Sequence, residues 1–89
     1  MEERYLVKKH CEATEICTIA TGRIQDYYYG TSRGYLDRDF LPHEEQIRAH
    51  GFQTRKEAEV KLAAIQAAIP LETASRLWNI TAEIIQVEV

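Results

Sequence analysis

Cysteine is scarce in this chain. Cys11 and Cys17 are the whole supply in 89 residues. Two thiols cannot form the disulfide framework that staples small secreted domains, so both are expected to be reduced. Glycine and proline are scarce as well, at four and two residues, which excludes a collagen-like or low-complexity chain. No apolar run reaches the roughly 18 residues of a membrane-spanning helix, so no membrane partner is expected. The opening Met1-Glu2-Glu3 has neither the basic nor the apolar part of a secretory leader, and a cytoplasmic location follows as the expectation. Positive charge is in deficit, with 11 Lys and Arg against 14 Asp and Glu and a net charge of −3. Nucleic-acid binders are more often strongly basic, so the balance disfavours that class without removing it.

The sequence signatures of catalysis and metal binding are also missing. There is no glycine-rich phosphate loop, no H-E-x-x-H and no G-x-S-x-G. His10, Cys11, Cys17 and His43 fit no zinc-ligand spacing. His10 and Cys11 are strand neighbours and must face opposite sides. His43, Glu44, Glu45 and His50 suit the two ends of a short helix dipole, and no nucleophile stands in a recognisable setting beside them. A non-enzymatic chain with no cofactor and no metal is therefore expected.

What the chain does contain is enough to fold. Apolar residues make up 45% and charged residues 28%, an ordinary globular composition for one small domain over residues 1–89. A domain of this size buries roughly 60–65% of its unfolded surface, which supports one core. "RYLVKKHC" (Arg4–Cys11), "ICTIATGRI" (Ile16–Ile24) and "RIQDYYY" (Arg23–Tyr29) read as strands. Their Ile, Val, Thr and Tyr suit a half-buried pleated surface. Short connections between them predict a meander.

"GTSRG" (Gly30–Gly34) is loop chemistry. "PHEEQIRAHG" (Pro42–Gly51) predicts a short helix, with Pro42 in its first turn and Gly51 just past its end. The clearest element follows. Thr54 and Glu57 make a capping box, and Ala58, Leu62, Ile65 and Ile69 form a stripe at helical spacing. Arg55/Glu59 and Glu57/Lys61 are opposite-charge pairs one turn apart. Pro70 stops the helix, placed at 54–69. "WNITAEIIQVEV" (Trp78–Val89) is the last strand. Its apolar phase slips at Ile84-Ile85, which predicts either a bulge or burial on both faces. Trp78, at its start, reads as a cap on the edge of the core.

The fold expected is a small two-layer α+β domain. An antiparallel sheet of three to four strands, in β-β-β-α-β order, packs against one long helix.

Two surfaces could carry function. Tyr27 and Tyr29 share one side of a strand, and with Arg23, Arg33, Tyr35 and Arg38 they could stack on bases and meet phosphates. The negative net charge favours the plainer reading, that the same tyrosines seal a sheet margin with their hydroxyls in water. The last strand offers the other surface. If it lies at a sheet edge, Ile85, Val87 and Val89 could add a second chain, and Val87→Lys would probe it. A protein-interaction module, self-associating or binding another protein, is the reading this favours. The alternative is a nucleic-acid-binding accessory protein of phage or mobile-element type.

One segment bears on that alternative. "HGFQTRKEAEVKLAAI" (His50–Ile65) resembles the "G-F-x-T-K-K-E-A" helix start of the arm-site DNA-binding domain in phage-type tyrosine integrases. The resemblance implies a three-stranded sheet followed by a helix, with the sheet on DNA. This chain departs from it in placing a strand after the helix and in being acidic. Membership of that family is not inferred.

Overall fold

The computed structural model describes residues 2–15, 23–31, 43–72 and 76–89. Among them, strand β1 spans Glu3–Ala13, β2 Ile24–Tyr29 and β3 Trp78–Glu88. Helix α1 spans Glu44–His50 and α2 Arg55–Ala68, and α2 runs into a 3₁₀ turn, Ile69–Leu71. This is the expected small α+β domain. Most of the expected strand Ile16–Ile24 lies outside the described residues.

The sheet is antiparallel, in the order β2-β1-β3. It is not the expected meander. β2 pairs directly with β1, from Val7 opposite Tyr29 to Glu12 opposite Ile24. The Arg23 carbonyl accepts the Ala13 N–H at 2.8 Å and holds that end shut. β1 is therefore central, and β3 returns from the far end of the chain to its other side, from Glu3 opposite Glu88 to Ala13 opposite Trp78. β1 carries Leu6 and Val7, which point to opposite faces and are both fully buried. A central strand is the position where both faces can be covered.

Pairing across β3 is one-to-one throughout, so there is no bulge at Ile84-Ile85. Both residues are half-buried, Ile84 beside Val7 on one face and Ile85 beside Leu6 on the other. Burial on both faces is thus the outcome of the phase slip.

The hydrogen-bond phase fixes which backbone groups of β3 face away from β1. Glu2 and Val89 exchange two backbone hydrogen bonds, at 2.9 and 3.3 Å. Hydrogen-bonded pairs recur every second residue in an antiparallel ladder. Glu83, Ile85 and Val87 therefore turn their N–H and C=O groups toward β1, whereas Ala82, Ile84, Gln86 and Glu88 turn theirs to the outer edge.

On the far side of β1 the phase is complementary. Tyr5 exchanges two backbone bonds with Phe52, at 2.9 and 2.8 Å, where β2 has ended.

Helix α2 lies over the face that carries Val7, Lys9 and Ile84. Lys61 places its ammonium 5.7 Å from the centroid of the Tyr29 ring, and Gln66 Nε2 donates to the Ala82 carbonyl at 3.5 Å. The predicted stripe faces the sheet, with Ala58 buried and Leu62, Ile65 and Ile69 half-buried. The capping box is half as drawn. Thr54 Oγ1 accepts the Glu57 N–H at 3.3 Å, and its hydroxyl lies 3.2 Å from the Glu57 carboxylate. Arg55 and Glu59 pair at 3.5 Å.

Gly51 closes α1 with φ −65° and ψ 139°, an extended conformation. The expected helix-end glycine is thus required by space and not by handedness. A Cβ there would stand 2.7 Å from the Ile47 carbonyl oxygen and 2.9 Å from Arg4 Cβ. Among the described residues no helix is long and apolar enough to cross a membrane.

Candidate functional site

Alternation along β1 and its register with both neighbours bring Lys9, Cys11, Gln25, Tyr27, Trp78 and Ile80 to one end of the helix-covered face. The 3₁₀ turn sets Glu72 above them. Together they line a hollow of about 140 Å³ beyond the end of α2. Trp78, expected as a cap on the core's edge, is half-buried here and walls the hollow.

Lys9 is the centre of this cluster. Its side chain is 14% exposed and its ammonium lies 3.3 Å from Glu72 Oε1. The same ammonium stands 5.4 Å from the Tyr27 ring centroid and 6.0 Å from that of Tyr29. Burial works against the charge on Lys9, but Tyr29 and Glu72 outweigh it, and its pKa is raised. Burial pushes the Cys11 thiol up too; the nearby Lys9 opposes this, and Glu72 and Asp26 add to it. At neutral pH the ammonium therefore stays charged and the thiol stays protonated. Neither is poised as a base or nucleophile.

Both shifts have the same sign for stability. A group whose folded pKa is raised contributes fully below its unfolded pKa, and the contribution is lost as pH rises through the folded value. The ordinary values are 9.0 for Cys11 and 10.5 for Lys9. Stability should accordingly decline from about pH 9 upward, read as a falling urea midpoint. Cys11→Ala should remove the first part of that decline. A wild-type midpoint flat across the alkaline range would refute the argument.

The sequence-derived residues disperse. Tyr27 and Tyr29 share the helix-covered face as expected, with Tyr28 buried on the reverse face. Their rings are approached by Lys9 and Lys61 from within the domain, and the Tyr27 hydroxyl donates to Gln25 Oε1 at 2.8 Å. Arg23 is exposed at the hairpin end, where its guanidinium donates to the Ala13 and Thr14 carbonyls at 3.1 and 3.0 Å. Arg33, Tyr35, Arg38 and Cys17 lie outside the described residues.

On the reverse face His10 Nδ1 stands 2.6 Å from Asp26 Oδ1, while Cys11 points the opposite way. Among the described residues no group of three or more His, Cys, Asp or Glu side chains is placed to hold a metal ion.

Sequence reasoning missed Lys9 and Glu72. The spacing of Lys9 to the tyrosines becomes readable only once β1 and β2 are in register. Glu72 is sixty-three residues from Lys9, and no local pattern links them.

The open edge is the second candidate. β3 pairs with β1 along its whole length, and among the described residues no strand lies on its other side. Ile85, Val87 and Val89 are half-buried along this edge, on the reverse face. Val87 stands opposite Arg4. A lysine at Val87 would therefore oppose like charges within the domain, so the exposed Gln86 is the cleaner place to perturb the edge.

Compared with protein-family models, with curated proteins and with solved structures, the chain has no significant match in any of the three.

Proposed function

We propose that this chain is a non-enzymatic protein-interaction module whose binding element is the outer edge of β3. The observation that carries this is the 11-residue strand Trp78–Glu88, paired without a break on one side and without a strand neighbour among the described residues on the other. Such an edge presents a row of backbone donors and acceptors to an incoming extended segment. Ile84, Gln86 and Glu88 supply the outward groups, while Ile85, Val87 and Val89 supply apolar surface beside them. We place this activity in the cytoplasm, in keeping with Cys11 as a buried free thiol.

The nucleic-acid alternative draws less support. Tyr27 and Tyr29 receive cations from their own domain, Arg23 is bonded to the hairpin backbone, and the net charge is −3. Binding of that kind would collapse steeply with added salt.

An amide NMR titration with a synthetic peptide of the sequence Glu83–Val89 tests the edge. The amides of Ile84, Gln86 and Glu88 should shift most, because theirs face outward. An unchanged spectrum at near-millimolar peptide would sink the reading.

A further inference from the structure

We propose that the strand received by this edge is β3 of a second copy, paired antiparallel about a two-fold axis that passes beside Gln86. The inference rests on the edge reading above and names its partner.

The argument starts from symmetry. A two-fold axis perpendicular to the sheet joins the two edges into one continuous sheet and keeps each face on its own side. Residues directly opposite each other must then share a face, so an even-numbered residue meets an even-numbered one and an odd meets an odd. Glu83 and Glu88 are the acidic residues of β3, and the strand has no basic residue. Their numbers differ in parity, so they stand on opposite faces and cannot oppose each other in any two-fold register. Like charges meet only if the axis falls on Glu83 or on Glu88 itself. An acidic strand is in this way compatible with its own copy.

The helix then limits where pairing can occur. Ala82 turns its carbonyl to the outer edge, but Gln66 of α2 already donates to it. The edge that remains runs from Glu83 to Val89, and its midpoint is Gln86. Centred there, Gln86 meets the partner's Gln86, and Ile84 meets the partner's Glu88. These are the residues with outward backbone groups, so they form the hydrogen-bonded pairs. Between them Ile85 meets the partner's Val87 in the closer, non-hydrogen-bonded pairing. The half-buried apolar row on the reverse face would thereby continue across the seam into its own counterpart, giving a six-stranded sheet from two three-stranded ones.

A charge exchange at Gln86 tests both partner and register. Its side chain is exposed and its N–H and C=O do not serve β1, so Gln86→Lys and Gln86→Glu should both fold, with unchanged far-ultraviolet circular dichroism. In the proposed register each substitution opposes two like charges. Sedimentation velocity should then show wild-type dimers at high concentration and self-association weaker by about two- to fivefold in either variant. An equimolar mixture of the two variants should recover the dimer as a heterodimer.

Variants that dimerise like the wild type, or a mixture that gains nothing, would overturn the register. A wild type that stays monomeric near millimolar would overturn self-pairing. In that last case the Glu83–Val89 peptide decides the rest. Shifts in β3 leave the edge open to an added strand that lacks the rest of this domain, and no shifts remove both.

Discussion

Gly30→Ala should be among the most damaging single substitutions in this chain, with an expected loss of about 3 kcal/mol. Gly30 is buried at the end of β2, where the chain leaves the sheet against the end of α1. A Cβ at this position would run into the His50 carbonyl, 2.8 Å from its carbon and 3.4 Å from His50 Cβ. The obstacle is backbone, so no rotamer change relieves it. Nor can the carbonyl simply move away, because it accepts the Thr31 N–H at 2.6 Å. One residue beyond Gly51, Phe52 is bonded to Tyr5 on both its N–H and its C=O.

Relief must therefore come from parting the α1 end from the sheet. The urea midpoint should fall accordingly. Hydrogen exchange should locate the damage, with the Tyr5 and Phe52 amides losing protection first and the β1–β3 amides last. An alanine variant with the wild-type midpoint would show that this junction tolerates a side chain.

The second large effect is expected at Leu6. It is 0% exposed on the central strand, with Ile85 beside it on the same face. Leu6→Ala removes buried carbon and leaves a void that a strand bonded on both sides cannot close, for an expected cost of about 3 kcal/mol. Against the 5–15 kcal/mol typical of whole domains, and a small one sits toward the lower end, that is a large fraction. Val60→Ala is the natural control. Val60 is 69% exposed on α2, and its truncation should change stability by no more than about 0.5 kcal/mol. Equal losses at the two sites, measured by urea unfolding, would mean that burial on the reverse face is not what holds the sheet.

How much of this was readable beforehand depends on how local each feature is. α2 was legible almost to the residue. Its cap, stripe and stop are all written within Thr54–Pro70, and the structure places the helix at Arg55–Ala68 with Thr54 as its cap. β1, β2 and β3 were legible for the same reason. What could not be read was who pairs with whom. The meander followed from proximity in sequence, whereas β1 takes β2 on one side and the distant β3 on the other. Short-range pattern carries no information about that choice.

The slip at Ile84-Ile85 was visible as a slip. Deciding between a bulge and burial on both faces required knowing that the neighbouring strand buries Leu6 and Val7 in opposite directions. The hollow was invisible for the same reason, since Lys9 and Glu72 meet only after the sheet closes. The tyrosine run was readable as strand, and its rings turn out to be neighbours of lysines that sequence spacing does not associate with them.

The placement of β1 between its two neighbours also bears on how quickly the domain can assemble. Pairing Glu3 with Glu88 joins residues separated by almost the whole chain, and contacts of that kind come late, because the entropy of closing a long loop must be met before any of them forms. During synthesis the hairpin of β1 and β2 emerges well before β3. Over that interval the seam that β3 will fill is itself unpaired, with Leu6 and Val7 uncovered beside it. The nascent chain is then at its most exposed to stray strand addition, and the arrival of Trp78–Glu88 ends that exposure.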